Sequence, residues 1–111
     1  MSSEYVLRAV MKLKPNRLLE FQQYSQKLMP AYVEQLQWKL LTACHTEDGA
    51  AGCEVMNVWL LPTQPEVAMN EWKVFFEKHP DYAAISALLK DCCETQTPTT
   101  MKLAPYQPRV D

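Results

Sequence analysis

The sequence predicts an α+β domain whose elements follow the order β-α-β-β-α-β. Three observations support this prediction: apolar residues that alternate along strands, apolar residues at three- and four-residue steps along helices, and Pro or Gly residues between the segments. The predicted elements are a strand at 5–13, a helix at 17–36, strands at 38–45 and 53–61, helical segments at 66–78 and 80–93, and a strand at 99–104. This order is typical of the ferredoxin-like fold, an antiparallel four-stranded sheet with two helices on one face.

The first strand and the first helix are separated by a Lys-Pro-Asn turn. Odd-numbered residues of 5–13 form one face of the strand, and Arg8 lies on the other face between Val6 and Val10. The apolar stripe of the helix is interrupted by Pro30. Because proline lacks an N–H group and clashes with the preceding turn, we expect a kink or two short helices at this point.

The second and third strands form a predicted hairpin, because the loop between them contains both glycines of the chain. Placing Cys44 opposite Cys53 pairs Trp38 with Trp59. One face of the hairpin then carries Trp38, Leu40, Val55 and Trp59, and the other carries Leu41, Ala43, Met56, Val58 and Leu60. Both faces are apolar, but one helix layer covers only one of them. We therefore predict that a second copy of the chain covers the other face, unless the register differs or the tail covers it.

The second half of the chain is predicted to be a broken helix followed by a short strand. The segment at 66–78 is rich in aromatic residues and ends at His79, and Pro80 suits the first position of a new helix. A chain of 111 residues fits one domain of this kind. We assign residues 1–104 to that domain and residues 105–111 to a C-terminal tail.

Composition excludes several classes of partner. The formal net charge is −2 and no run of Lys or Arg occurs, so we expect no nucleic acid partner. No apolar stretch approaches the 18 residues that a membrane span needs, so we expect no membrane-spanning segment. The first four residues are polar or acidic apart from the initiator Met, unlike a signal peptide, and we therefore expect a cytoplasmic protein.

Cysteine and motif patterns predict neither a metal nor a cofactor. The chain has four cysteines, which we expect to be reduced in the absence of an export signal. Cys44, His45 and Cys53 converge at one end of the predicted hairpin, but a fourth zinc ligand is missing and the spacing matches no zinc finger. No P-loop, nucleophile elbow or dinucleotide fingerprint occurs.

Five short motifs follow one another along the chain. They are Tyr-Val-Leu-Arg at 5–8, Lys-Pro at 14–15 with Leu-Glu-Phe at 19–21, an aromatic at Trp38, Glu-Val-Met-Asn-Val-Trp at 54–59, and His-Pro-Asp-Tyr at 79–82. In this order and spacing they resemble the NIPSNAP family, within the dimeric α+β barrel superfamily. Two positions depart from the family pattern: Asn57 stands where a His is common, and Val10 replaces an aromatic residue.

The resemblance implies a ferredoxin-like monomer in a dimeric α+β barrel, with a homodimer formed through the sheet face. The superfamily includes cofactor-free monooxygenases, lactone isomerases, polyketide cyclases and haem-degrading proteins. It therefore implies a metal-free enzyme of the isomerase, cyclase or monooxygenase type that acts on a small hydrophobic, aromatic or polyketide-like molecule. Two alternatives stay open: a binding module for such a molecule, and an interaction protein without a cavity.

Two residues are candidates for catalysis. His79 precedes Pro80 at a helix break, where an imidazole that titrates near neutral pH can face a cleft and transfer protons. Its alternative role is to cap a helix at the surface. Arg8 could anchor a carboxylate or an enolate oxygen. Its alternative role is an ion pair with Glu54 or with a carboxylate of a partner chain.

A ligand cavity is predicted between the sheet and the helices, because the prolines that interrupt the helices prevent them from lying flat. We expect His79 and Tyr82 at its rim, with Arg8 or Asn57 deeper. The amide of Asn57 could orient a ligand carbonyl. The predicted aromatic lining is Tyr24, Tyr32, Trp38, Trp59, Trp72 and Tyr82, although such residues are more often ordinary core.

Overall fold

The computed structural model describes residues 4–106 and has the predicted element order, with the second helix divided into two. The elements are β1 Tyr5–Leu13, α1 Leu18–Gln35, β2 Lys39–His45, β3 Cys53–Leu60, α2 Pro65–Lys78, α3 Pro80–Asp91 and β4 Cys93–Lys102. The predicted α+β, ferredoxin-like architecture is thereby confirmed. Within the described range, no helix is both long and apolar enough to cross a bilayer. Residues 107–111 of the predicted tail lie outside the described residues.

The four strands form one antiparallel sheet in the order β2-β3-β1-β4. In the centre, Leu7 of β1 pairs with Trp59 of β3, and Ala9 pairs with Asn57. These residues and their alternate neighbours face the helices, and we call this side the helix face. The intervening residues, among them Arg8, point to the opposite side, the open face.

The predicted hairpin register is wrong. Leu40 pairs with Trp59, and Cys44 pairs with Met56 rather than with Cys53. The observed pairing differs from the predicted one by two residues at Leu40 and by three at Cys44, and a bulge at Leu41 accounts for the one-residue difference between them. A bulge adds a residue to one strand and so reverses the faces of the residues beyond it, which a pattern that is apolar on both faces does not reveal. As a consequence, Ala43 lies on the helix face rather than on the open face.

Helix α1 continues through Pro30 instead of breaking there. Pro30 removes the hydrogen bond to the carbonyl of Gln26, and both residues lie on the exposed side of the helix. Water can hydrogen-bond that free carbonyl, so the helix remains one element on its buried side. The expected division into two short helices is therefore wrong.

Strand β4 begins six residues earlier than predicted, at Cys93, directly after α3 ends at Asp91. The early part of this strand contains two Thr residues and Pro98, and it lacks the apolar alternation that predicts a strand. Pro98 pairs with Ala9 on an edge strand of the sheet. A proline without an N–H group is tolerated at such an edge, because the missing donor can face solvent.

Two clusters of buried residues lie between the sheet and the helices. We call the first the aromatic end; its buried members are Leu7, Ala31, Leu36, Trp38, Trp59, Leu61, Ala68 and Phe75. We call the second the closed end; its buried members are Met11, Leu13, Phe21, Cys53, Val55, Cys92 and Cys93. All four cysteines carry free thiols.

Candidate functional site

A cavity of about 270 Å³ lies between the helix face and all three helices. Its walls are mainly apolar, and they include the side chains of all three tryptophans of the chain, which are Trp38, Trp59 and Trp72. A concave, mostly apolar space with a few polar groups is the usual form of a small-molecule site. Its volume lies just below the usual range for ligand pockets, so it suits a small occupant.

Tyr32 of α1 lies at the centre of the aromatic wall and contacts two of its tryptophans. Its ring centroid lies 5.3 Å from that of Trp38 and 5.4 Å from that of Trp59. The rings meet edge-on or tilted, which is a favoured aromatic geometry. Trp72 Nε1 donates a hydrogen bond of 2.9 Å to Tyr32 Oη and so links α2 to α1. Burial raises the pKa of Tyr32 to about 12, while the Trp72 hydrogen bond acts in the opposite direction. Tyr32 is therefore neutral at physiological pH.

Trp38 is placed by the turn between α1 and β2. Gln37 adopts a φ of 61° in this turn, and the N–H group of Trp38 donates to the carbonyl of Tyr32 at 3.1 Å. The Trp38 side chain is 2% exposed. Its Nε1 has no hydrogen-bond partner within residues 4–106. The indole N–H group of Trp38 is thus enclosed without a partner, although Trp38 itself lines the cavity.

Asn57 is the polar residue at the sheet side of the cavity. It lies between Val55 and Trp59 in the alternation of β3, so the strand pairing directs it toward the helices. Only 7% of the residue is exposed. Its side-chain amide has no hydrogen-bond partner in the described part of the chain. Its amide atoms are not among the fully enclosed polar atoms that lack a hydrogen bond, so they are open to the cavity and can bond to an occupant.

A polar edge closes the cavity between α3 and β4. Ser86 and Lys90 lie one helical turn apart on α3, and Gln96 follows on β4. Among the described residues that line the cavity, none is Asp, Glu or His, and Lys90 is the charged one.

A second, larger space opens from the cavity under α1. It has a volume of about 800 Å³ and reaches past Cys44 and His45 on β2. The two spaces share the lining residues Phe21, Ser25, Met29 and Asn57. Asn57 thus lies where the inner cavity meets a broad surface groove, which provides a path for entry.

Five of the residues predicted to line the cavity come together there. They are Asn57, Trp59, Trp38, Tyr32 and Trp72. Tyr24 does not join them, because it packs against the closed end. Their assignment to ligand binding stays a prediction, although their shared location agrees with it.

The predicted place of His79 and Tyr82 at the cavity rim is wrong. The His79 ring lies 5.1 Å from Phe75 and lines a different groove, of about 480 Å³, beside α2. Tyr82 stacks on Phe75, with ring centroids 5.5 Å apart. Both rings instead pack against Phe75, a buried residue of α2 that does not line the cavity.

The predicted place of Arg8 deep in the cavity is also wrong. Arg8 is exposed on the open face, where its Nε lies 3.5 Å from Met56 Sδ. Its strand neighbours Leu7 and Ala9 take the helix face instead. Arg8 and His79 therefore do not share a site. The alternative ion pair between Arg8 and Glu54 is not formed in the described structure either.

The converging Cys44, His45 and Cys53 do not form a ligand set. Cys44 is exposed, Cys53 is buried, and Nδ1 of His45 lies 2.6 Å from the carbonyl of Thr46. Among the described residues, no three His, Cys, Asp or Glu side chains are arranged to hold a metal ion.

Sequence reasoning missed the polar edge of the cavity. Ser86, Leu89 and Lys90 recur at three- and four-residue steps, which places them on one side of α3. That signal was present but did not stand out, because a single lysine on a helix is usually a solvated surface residue. Gln96 could not be found, because the sequence predicted no strand before residue 99.

Comparisons with known proteins identify the fold. No protein-family model and no curated protein matches the sequence. A solved NIPSNAP family protein of unknown function from Agrobacterium tumefaciens is 15% identical, with a TM-score of 0.75 over 95% of this chain and 92% of that one. A NIPSNAP-like domain protein from Burkholderia xenovorans is 13% identical, with a TM-score of 0.74 over 100% and 94% of the two chains. This chain has a NIPSNAP-like fold.

The NIPSNAP-like fold extends to more distant structures. SnoaB, a cofactor-independent oxygenase from Streptomyces nogalater, is 11% identical, with a TM-score of 0.60 over 97% of this chain and all of that one (100%). The likeness in fold to SnoaB agrees with the architecture that the motifs at 5–8, 54–59 and 79–82 indicated. At such identities the likeness concerns the fold, and the site must be argued from its own residues.

Proposed function

We propose that this NIPSNAP-like protein binds a small, planar, mostly apolar molecule in the cavity beside Asn57. The observation that carries this proposal is the side-chain amide of Asn57, which lines the cavity and has no hydrogen-bond partner in the described part of the chain. A carbonyl or hydroxyl on the occupant would hydrogen-bond to that amide.

The walls of the cavity suit an aromatic or polyketide-like skeleton. Indole rings from Trp38, Trp59 and Trp72 present rigid apolar surface, and each square ångström removed from water contributes roughly 25 cal/mol. An apolar ring system that carries an oxygen atom would fit these walls and bond to Asn57.

Catalysis is the second candidate, supported by the fold likeness to a cofactor-independent oxygenase. In this alternative the protein is a metal-free, cofactor-free enzyme of the isomerase, cyclase or monooxygenase type. The lining contains no carboxylate or imidazole, so Tyr32 and Lys90 are the titratable groups that could exchange a proton with a substrate. The cavity therefore supports binding more directly than it supports acid–base chemistry.

A homodimer through the open face is part of the proposal. The centre of this face presents half-buried Val10, Met56, Val58 and Leu60, which polar residues on the edge strands surround. One helix layer leaves such a surface facing water, and a second copy would cover it with a closed two-fold interface. Light scattering at micromolar concentration should give close to twice the chain mass of 12.8 kDa.

A matched pair of valines tests this interface. Val58→Glu places a charge on the open face and should give a monomer, whereas Val33→Glu on the exposed side of α1 should leave the dimer intact. A monomeric parent protein, or equal behaviour of the two variants, would exclude the open-face dimer.

Ligand binding can be measured by the fluorescence of the three cavity tryptophans. We would titrate the protein with 1-tetralone, a planar ketone, and with tetralin, the hydrocarbon without the oxygen. Loss of one hydrogen bond to a buried amide should lower the tetralone affinity of Asn57→Leu about tenfold and leave tetralin binding unchanged. Asn70→Leu, on the exposed side of α2, is the control.

The outcomes separate the functional classes. Failure of both compounds to bind at millimolar concentration, or equal effects of Asn57→Leu and Asn70→Leu, would overturn the proposed site. Chromatography of the ligand recovered after incubation in air separates binding from catalysis. Unchanged ligand supports the binding module, and a product whose rate falls in Asn57→Leu supports the enzyme. His79→Ala, which alters a different groove, should leave either activity unchanged.

A further inference from the structure

We infer that the occupant of the cavity carries an anionic oxygen group, such as a carboxylate or an enolate, which Lys90 binds. This inference rests on the proposed function and specifies the chemical class of the ligand. It follows from the charge of the lining, from the ion pairs near Lys90, and from the distance between the polar groups on the two sides of the cavity.

The charge of the lining is one-sided. Lys90 contributes an ammonium group, while no Asp, Glu or His of residues 4–106 lines the cavity. The remaining polar groups are amides, hydroxyls and indole N–H groups, all uncharged. A negatively charged oxygen on the occupant would therefore meet one cation and no opposing anion.

The carboxylates nearest to Lys90 in the sequence bind other cations. Asp91 accepts a hydrogen bond of 3.0 Å from Arg17 and lies 3.9 Å from Nζ of Lys14. Glu94 lies 3.7 Å from Nζ of Lys12. Lys90 forms no ion pair with any residue from 4 to 106. Lys90 also borders an outer groove that Glu77 lines, but the two side chains form no ion pair, so the ammonium group is available to a ligand at the edge of the cavity.

Two neighbours would complete an anion contact. The hydroxyl of Ser86 lies one helical turn before Lys90, so both groups occupy the same side of α3. Gln96 adds an amide from β4. A lysine ammonium together with neutral donors is a common setting for a carboxylate, because each donor forms a charge-assisted hydrogen bond.

The register gives the span between the two polar sides. Asn57 pairs with Ala9, and Ala9 pairs with Pro98, so these residues lie in one row across three strands. Two strand spacings separate Asn57 from the β4 side by about 10 Å. A molecule that reaches both sides has a neutral oxygen near Asn57 and its anionic group near Lys90, with the ring system between them.

Matched acids and amides test this inference. We would titrate the protein with 2-naphthoate and 2-naphthamide, which have the same planar ring system and differ in charge, and read tryptophan fluorescence. We expect 2-naphthoate to bind about fivefold more tightly at low salt, an advantage that high salt reduces because the rim is exposed. Lys90→Gln should remove this preference, and Lys90→Arg should retain it. Lys27→Gln, at an exposed position of α1 outside the cavity, should behave as the parent protein.

The result distinguishes this inference from the proposed function. Equal affinities for the acid and the amide, or an unchanged preference in Lys90→Gln, would overturn the role of Lys90 while the Asn57-dependent binding of 1-tetralone stands. Failure of every aromatic compound to bind would overturn both. A preference for the acid that disappears in Lys90→Gln alone supports an organic anion as the ligand.

Discussion

Polar groups are hydrogen-bonded at the closed end of the core, whereas two of them lack hydrogen-bond partners at the aromatic end. At the closed end the N–H group of Lys14 donates to the carbonyl of Cys92 at 2.9 Å, and the Cys92 thiol donates to Glu20 at 3.4 Å. Arg17 joins this network through ion pairs with Glu20 and Asp91. At the aromatic end, the enclosed indole N–H group of Trp38 lacks a partner, and the amide of Asn57, which lines the cavity, has none among the described residues.

The pKa directions of the closed end agree with a structural role. Burial raises the pKa of the Cys92 thiol, and its hydrogen bond to Glu20 adds to this effect. The hydrogen bond from Arg17 lowers the pKa of Asp91. The thiol is thus held neutral and the carboxylate charged, each in the form that its partners bond. Polar groups of this chain are therefore hydrogen-bonded where they join elements of the fold. Beside the cavity they lack protein partners, and there a ligand can form the hydrogen bond.

Truncating a leucine should lower the free energy of unfolding much more at the closed end than beside the cavity, and this is the largest difference we expect. Leu13 at the closed end is fully buried at 0% exposure, and Leu28 lines the cavity at 4% exposure. Leu13→Ala creates a void in close-packed surroundings and should lower the free energy of unfolding by about 4 kcal/mol. Leu28→Ala enlarges a space that already exists and should cost about half as much, roughly 2 kcal/mol. Urea denaturation measures both, and equal losses would break the comparison.

Two glycines test how tightly the closed end is packed. Gly52 has a φ of 91°, and a Cβ atom there would lie 2.1 Å from the carbonyl oxygen of Leu13. Gly52→Ala should therefore cost about 3 kcal/mol of stability, from backbone strain together with this clash. Gly49→Ala is the control, because its Cβ would meet no atom closer than 4.0 Å. Thermal unfolding should show Gly49→Ala within about 0.5 kcal/mol of the parent, and a similar loss in both variants would contradict the prediction.

Alkaline pH should weaken the aromatic end through Tyr32. Its pKa is raised from 10.0 to about 12, so the unfolded chain loses this proton at lower pH than the folded protein does. Below pH 10 the contribution to stability is complete, and it is lost as pH rises toward 12, by up to about 2 kcal/mol. Tyr32→Phe should remove this part of the alkaline decline. The raised thiol pKa values of Cys53, Cys92 and Cys93 affect both proteins alike, and a decline of equal size in both would exclude the assignment to Tyr32.

Periodicity was enough to predict the fold, because each element of the helix layer and the first three strands carries its own local pattern. The register of the hairpin could not be predicted, since Leu40, Leu41 and Ala43 are all apolar and their pattern does not reveal the bulge at Leu41. The early start of β4 was missed because Thr-rich segments with Pro98 lack apolar alternation, and pairing with β1 alone makes them a strand.

The site was predictable in part. The alternation of β3 predicted that Asn57 and Trp59 share one face of the strand, and both residues line the cavity. Arg8 was misplaced because both faces of the sheet are apolar, so the sequence does not say which one the helices cover. The direction of His79 depends on the packing of Phe75 within the folded helix layer, which no local pattern specifies.

The smallest expected effect gives the sharpest test of the comparison. Asn57→Leu replaces an unpaired buried amide by an apolar side chain of similar size, so the free energy of unfolding should rise by about 1 kcal/mol. Most buried polar replacements would lower it, because they break a hydrogen bond. The same variant should lose the tetralone affinity that depends on the amide, so stability and binding should change in opposite directions. Urea denaturation of the ligand-free protein measures the first change. A loss of stability in Asn57→Leu would show that the amide supports the fold, and the aromatic end would then resemble the closed end.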